Sequence, residues 1–407
     1  MRSLSNKISK IGPGALIAAA FIGPGTVTVC SIAGNSFGYS LLWAILTSLI
    51  IALILQEMSI RVGIISKKGL TELIKNETKN SYLKNILLVL IFTAIIIGNT
   101  AYEAGNISGG VLGLESVFGT IKFSNGVNAY SLLIGVFAFI ILLIGNNRIL
   151  ERILMILVLF MSFAFFLTAI KIGFDIKSFL SGMFLPTFPD NSLLIIMGLI
   201  GTTVVPYNLF LHVSLAKEKW KSPDKLKEAR IDTLIAVIVG GFISMCIIIS
   251  STSIGLDNLN SAIDLAKGIE PVFGSFSKHL ISFGLFAAGL TSAITAPLAA
   301  AYVTCGCLNW GTDLKSFNFR IIWFMVLFIG VVCSSLNISS IEIIKFAQVA
   351  NGILLPTVTF FLILIANSKK VLGNYANSWK NNLISLFVFL ITLILGIKSV
   401  IKVMELI

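Results

Sequence analysis

Two short helix-breaking runs sit inside stretches that are otherwise apolar enough to cross a bilayer: Gly23-Pro24-Gly25-Thr26 near the start and Val205-Pro206-Tyr207-Asn208 near the middle. Proline removes a backbone donor and clashes with the preceding turn, and glycine costs about 1 kcal/mol against alanine in a helix. In hydrocarbon such breaks persist only where the freed N–H and C=O groups line a protein-enclosed or watery cavity. Matching breaks in corresponding positions of two halves point to a transporter binding site. The surrounding chain is 56% hydrophobic and 12% charged over 407 residues, with mean hydropathy +0.97. A soluble domain carries about 25% charged residues, so this is a polytopic membrane protein.

Counting apolar stretches of about 17–25 residues between polar breaks gives about eleven spans. They fall near 13–36 (broken), 41–63, 85–118, 129–146, 150–173, 191–216 (broken), 232–255, 279–308, 320–336, 341–366 and 382–403. The glycine-rich stretch 85–118 is long enough to suggest a tilted or irregular span. The basic N-terminus followed by an apolar run is expected to be an uncleaved first span, because Ile11-Gly12-Pro13-Gly14 interrupts it and no cleavage site follows.

The net charge of +12 follows from topology. With the N-terminus in the cytoplasm, inside segments collect 22 of the 30 Lys and Arg, including Arg61 to Lys84 and Lys217 to Arg230. That asymmetry satisfies the positive-inside rule and predicts a multi-pass cell-membrane protein with its C-terminus outside. No basic stripe interleaves with aromatics, which excludes nucleic acid as a partner. The partners are the lipid bilayer and a small transported cation or solute, and a monomer is the expected state.

The breaks lie in the first and sixth spans. Five intervening steps reverse the orientation of the second unit, which is the arithmetic of an inverted five-plus-five repeat with one extra span. The expected units are 1–173, 174–367 and an additional helix in 368–407, with a hinge from Phe174 to Asn191 that contains Pro186 and Pro189.

Gly23, Gly25 and Thr26 would open a second half-helix, whose N–H groups carry partial positive charge and favour a carboxylate. Carbonyls before that break, around Phe21 to Gly23, favour cations. In the sixth span Thr202 to Val205 offers unwound carbonyls, while Tyr207 and Asn208 add a hydroxyl and an amide. Gln348 and Asn351 lie one turn apart in the tenth span and add amide oxygens. Glu103 is an ionisable group near the middle of the third span and is read as a carboxyl for coupled proton transfer or cation coordination; the alternative is a structural carboxyl packed against Asn99 or Asn106. His212 follows the sixth-span break and is read as a proton relay. Glu57 and Arg61, spaced i, i+4, read as an interfacial pair, and Arg148, Glu151 and Arg152 mark another cytoplasmic turn.

The five cysteines lie in apolar segments and read as small packing residues. No Ser/His/Asp set, HExxH or phosphate-cradling loop occurs, so neither an enzyme nor a cofactor is implied.

Several runs taken together resemble the Nramp (natural resistance-associated macrophage protein) family of divalent-metal transporters. They are Gly12-Pro13-Gly14, Gly38-Tyr39-Ser40-Leu41-Leu42-Trp43, Gln56-Glu57-Met58 with Arg61, Gly69-Leu70, Pro206 with Asn208, and Leu211-His212. The resemblance covers nearly the whole chain. It implies an all-α, leucine-transporter-like fold and metal–proton cotransport into the cytoplasm.

The departures fall at the chemistry. Where the family has Asp-Pro-Gly-Asn, this chain has Gly23 and Thr26 in place of the Asp and Asn that ligate metal. In the sixth-span Met-Pro-His-Asn motif, Met becomes Val205 and His becomes Tyr207, with Asn208 retained. The alanine whose carbonyl binds metal corresponds to Thr202. An Asp three residues before the family's Glu is Thr100 here, whereas Glu103, His212 and Gln348 match family positions. Without carboxylate, amide or thioether from those places, the expectation is import of a divalent metal cation, Mg²⁺ or Mn²⁺, with altered selectivity that suits a hard ion such as Mg²⁺ and with proton coupling weakened. The alternative is a small organic solute such as an amino acid, whose carboxylate would meet the N–H groups of the first break.

Overall fold

The structure is a computed structural model and describes residues 22–404 apart from 79, 124–125, 145–147, 174, 309, 312 and 337. Residues 1–21, which include the Gly12-Pro13-Gly14 run and Phe21, and the side chains of Arg148, Glu151 and Arg152 lie outside the described residues.

The architecture is helical. The only strand-like pairing among the described residues is an isolated bridge between Lys122 and Asn128. Helix α1 spans Pro24–Phe37 and α2 Leu42–Ser66, followed by the short α3 Leu70–Glu77. Next come α4 Ser81–Phe118, α5 Ala129–Ile144, α6 Arg148–Ile172 and the short α7 Ile176–Phe184. The sixth expected span is two helices, α8 Leu193–Thr203 and α9 Pro206–Lys219. Then follow α10 Leu226–Ser251, two short helices α11 Ala262–Ala266 and α12 Glu270–Phe273, and α13 Phe276–Leu308. Helices α14 Phe317–Ser334, α15 Ser340–Ala366, α16 Lys369–Leu372 and α17 Trp379–Met404 complete the chain.

Among the described residues eight helical segments are long and apolar enough to cross a membrane, with α8 and α9 counted together, and two shorter apolar helices lie at 129–144 and 158–172. With α1 in the described part of the first expected span, helices stand at all eleven expected positions; residues 13–21 of that span lie outside the described residues. The stretch at 85–118, expected to be tilted or irregular, is one uninterrupted helix of 38 residues. Its glycines serve close packing rather than bending. A Cβ at Gly113 would meet the Ser282 carbonyl of α13, and one at Gly105 would meet Ala347 of α15 at 2.9 Å. Helix α4 therefore brings α13 and α15 within backbone reach, which is how membrane helices gain contact without a hydrophobic driving force.

Proline opens α1, α9 and α12, whereas Pro297 and Pro356 are carried inside α13 and α15. Pro24 and Pro206 each occupy the first turn of α1 and α9, where the missing N–H costs nothing and the fixed φ suits a helix start. All five cysteines are free thiols, four of them buried, as packing residues should be.

Candidate substrate site at the paired helix breaks

The two breaks meet. The Thr26 hydroxyl in the first turn of α1 and the Thr202 hydroxyl in the last turn of α8 share a buried hydrogen bond of 2.7 Å. Helix α1 opens at Gly23 in extended backbone, and its first bond runs from Val27 N–H to the Gly23 carbonyl. Helix α8 ends at Val204, whose N–H donates to the Ile200 carbonyl. By helix geometry the carbonyls that follow Ile200 lack intrahelical partners. The positive end of one half-helix thus faces the negative end of another across a threonine pair.

Helix α15 closes the junction. The Gln348 side chain packs against the Cα of Gly25, so that any Cβ there would collide with its amide. The main-chain carbonyl of the same residue packs against Gly201 of α8. Gly25 and Gly201 are therefore close-approach positions, each filled by a different part of Gln348. Pro24 in turn rests on Gly109 of α4. Tyr207, at the start of α9, meets Tyr102 of α4 edge-on with ring centroids 5.3 Å apart.

Gly25, Thr26, Thr202 and Gln348 thus lie at one junction. Val205 and Asn208 are buried at the start of α9, where Asn208 N–H returns to the Val205 carbonyl at 3.1 Å. Asn351 is buried one turn along α15 from Gln348. Three amide atoms of this group, Gln348 Oε1, Asn351 Nδ2 and Asn208 Nδ2, have no hydrogen-bond partner among the described residues. Buried polar atoms are normally satisfied, and leaving one bare costs about 1–3 kcal/mol. Each is polar capacity that the described residues leave unused.

Glu103 sits on a different face. It is fully buried on α4, one residue round from Tyr102, with its stem against Gly330 of α14. Asn106 donates to its Oε2 at 3.5 Å, while Oε1 has no partner among the described residues. Asn99 instead donates to the Ala296 carbonyl of α13 at 3.3 Å. Of the two expected neighbours of the carboxyl, Asn106 is the one bonded to it. His212 is buried on α9, and its Nδ1 hydrogen-bonds the Gln56 Oε1 of α2, leaving Nε2 unpartnered among the described residues.

Two contributors escaped sequence reasoning. Gln56 stood only as part of a motif, although a lone amide in the middle of an apolar span is itself a signal. Tyr102 carries no comparable signal, because its role depends on Tyr207 of another helix.

The donor chemistry is neutral. Among the described residues no group of three or more His, Cys, Asp or Glu side chains is placed to hold a metal ion. Hydroxyls, amides and carbonyls are hard oxygen donors, suited to hard cations rather than to soft ones. Beyond α9, a cavity of about 360 Å³ opens between α3, α9 and α13, lined by Thr71, Glu72, Ser214, Lys217 and Tyr302 among others.

The family model for natural resistance-associated macrophage protein-like (Nramp) proteins matches residues 14–402. The chain belongs to the Nramp family. It is 25% identical over 395 residues to the divalent metal cation transporter MntH of Yersinia pestis (strain Pestoides F), covering 95% of this chain and 93% of that protein. It is 26% identical over 388 residues to the MntH of Bacillus subtilis (strain 168), covering 93% and 88%. Among solved structures, the Eremococcus coleocola manganese transporter in complex with an aromatic bis-isothiourea compound superposes with TM-score 0.76 at 19% identity, over 95% of this chain and 85% of that one. Mhp1, a nucleobase-cation-symport-1 family transporter, superposes with TM-score 0.55 at 15% identity, over 97% and 93%. This Nramp chain therefore has the all-α, leucine-transporter-like fold expected from its sequence.

Proposed function

We propose that this Nramp protein is a secondary transporter that carries a hard divalent cation, Mg²⁺ in preference to Mn²⁺, into the cytoplasm. Family membership and the metal-transporter relatives support cation transport; the neutral oxygen donors support the choice of ion. The observation that carries the reading is the Thr26–Thr202 bond, which brings the two half-helix ends to one point. Gly23, Gly25, Thr26, Thr202, Val205, Tyr207, Asn208, Gln348 and Asn351 form the substrate site. Its backbone carbonyls and amides take a cation that keeps part of its water shell, as Mg²⁺ does.

In this reading the cytoplasmic N-terminus and external C-terminus follow the charge asymmetry, and the five-helix units 1–173 and 174–367 rock about the site. The cavity beside α3 is the cytoplasmic exit. Glu103 and His212 form a side path for coupling, separate from the cation. Uptake of Mg²⁺, Mn²⁺ and Ca²⁺ into proteoliposomes tests the assignment, together with calorimetry on the purified protein. Mg²⁺ uptake exceeding Mn²⁺ uptake is expected, and no response to any of the three at millimolar concentration sinks the reading. Gly23→Asp should move preference toward Mn²⁺ by adding a carboxylate. Glu103→Gln should alter the pH dependence of uptake; an unchanged profile removes Glu103 from the coupling path.

One observation favours a second reading. The Tyr102–Tyr207 ring pair at the start of α9, together with amide atoms of Asn208, Gln348 and Asn351 that have no partner among the described residues, suits a small organic solute such as an amino acid. A thermal-shift screen across amino acids and metabolites decides it: stabilisation by an organic solute with none by Mg²⁺ establishes this reading in place of the first.

A further inference from the structure

The segment between α6 and α8 was expected only as a hinge. It contains α7, a helix of 9 residues whose side chains divide into three faces. At about 100° per residue, Phe179, Gly182 and Met183 share one side. That side packs on the bundle: a Cβ at Gly182 would collide with the Tyr39 carbonyl in the turn joining α1 to α2. Lys177, Ser178 and Ser181 share a second side and line a cavity of about 630 Å³ with Tyr39 and Ser40.

The third side is Ile176, Leu180 and Phe184, spaced i, i+4, i+8. They are 66%, 46% and 63% exposed. An apolar stripe this exposed on a helix with a separate polar side is the pattern of a helix lying in a membrane interface. Beyond the helix, exposed Phe188 reaches the end of α17, where Lys398 sits over its ring at 5.8 Å. There Phe188 lines a cavity together with Ile401, an exposed apolar residue of α17. Lys177 beside the stripe and Lys398 over Phe188 supply positive charge, as phosphate headgroups require.

We infer that α7 is a lipid-docking helix whose Ile176, Leu180 and Phe184 enter the acyl–headgroup boundary of the leaflet at that end of the bundle. Such burial reaches about 5–10 Å into the boundary. The docked helix also holds the α1–α2 turn. Trp43 Nε1 donates to the Thr187 carbonyl at 3.0 Å, and the Thr187 hydroxyl donates to the Ser40 carbonyl at 3.0 Å. The bilayer thereby becomes a fixed reference for the far end of the broken helix. This inference does not depend on which substrate is carried.

Spin labelling of the full chain in liposomes of mixed zwitterionic and anionic lipid tests it. Labels are placed by Ile176→Cys, Leu180→Cys and Phe184→Cys, and on the polar side by Lys177→Cys, Ser178→Cys and Ser181→Cys, in a Cys333→Ala background. Collision with oxygen should exceed collision with a water-soluble nickel chelate at the first three positions, with the order reversed at the second three. Equal access of the chelate to both sets overturns the inference. Dipolar broadening at the first three, abolished by dilution with unlabelled protein, also overturns it, since a second copy would then cover the stripe. If Phe184→Cys fails to fold, Ile176 and Leu180 carry the same comparison.

Discussion

At the α3 end of the bundle, Arg61 is held by both Glu57 oxygens, the Tyr375 carbonyl at 2.5 Å and Asn377 Oδ1 at 2.7 Å. Arg230 adds a second contact to Glu57 at 2.6 Å. At the helix breaks, by contrast, no formal charge is in play, and Gln348, Asn351 and Asn208 each keep a buried polar atom without a partner among the described residues. Both regions bury polar groups against the same apolar packing. In the first, partners satisfy a charge and tie α2 to α10 and to the loop before α17. In the second, the described residues leave hydrogen-bonding capacity unused. The pair spaced i, i+4 that looked like a bland interfacial contact is therefore the anchor of a wider network.

The contrast breaks first at Arg61, whose side chain is 4% exposed. Glu57 is 30% exposed and keeps Arg230, so the cost of removing Arg61 lies in its lost bonds to Glu57, the Tyr375 carbonyl and Asn377, about 1.5–3 kcal/mol for each hydrogen bond to a charged group. Arg61→Ala should thus lower the unfolding temperature in detergent by more than any substitution at the breaks. Arg230 is 50% exposed, and Arg230→Ala should cost below about 1 kcal/mol, as exposed pairs do. Equal losses for the two arginines refute the hierarchy.

The next effect separates packing from binding at the site. Gly201→Ala drives a methyl into the Gln348 carbonyl, which is backbone and does not yield. Overpacking of this kind costs about 1–3 kcal/mol, measurable as a fall in thermal stability. Gly25→Ala instead pushes on the flexible end of the Gln348 side chain. Its stability should stay near wild type while uptake falls about tenfold, equivalent to about 1.4 kcal/mol. Stability and uptake falling together in Gly25→Ala make that glycine a structural position only.

Smaller still is the threonine bridge. Thr202→Val removes a single hydrogen bond, a change of about 1 kcal/mol in stability. Affinity for the transported ion should fall alongside it, read by calorimetry; unchanged affinity detaches the bridge from the site. The least effect concerns Asp175, which caps α7 through the Ser178 hydroxyl and the N–H groups of Ser178 and Lys177. Those bonds, the Ser178 hydroxyl first, hold its carboxyl below the usual Asp range. A depressed value stabilises above the unfolded-state pKa of about 3.9, and that contribution is lost as pH falls through the lower folded value. Spin labels on α7 should gain mobility only in that acid window, and a gain near neutral pH contradicts the cap.

The spans and both breaks were legible because hydropathy, proline and glycine act locally, within a turn or a bilayer thickness. Polar residues in an apolar run, such as Gln348 and Asn351, announce themselves the same way. What escaped was rotation. Nothing near Glu103 in the chain tells which of its equally apolar neighbours it will face, so its contact with Gly330 of α14 required the packed bundle. The same holds for Gly25, whose reason for lacking a side chain is an amide from a distant helix. Irregularity was over-read at 85–118, because glycines that serve close helix approach look identical in sequence to glycines that serve bending.

Gln348 touches one broken span with its side chain and the other with its main chain. The carbonyl moves with the helix, whereas the amide swings on its own torsions. Helix α15 can therefore keep its seat on α8 while the amide leaves α1, so the two half-helices register the same residue on different clocks. Departure of the amide is a fast local step; departure of the carbonyl requires the whole helix to tilt. Under the proposed function, admission of a substrate and reorientation of the carrier would thus be separable in time, with a single residue taking part in both.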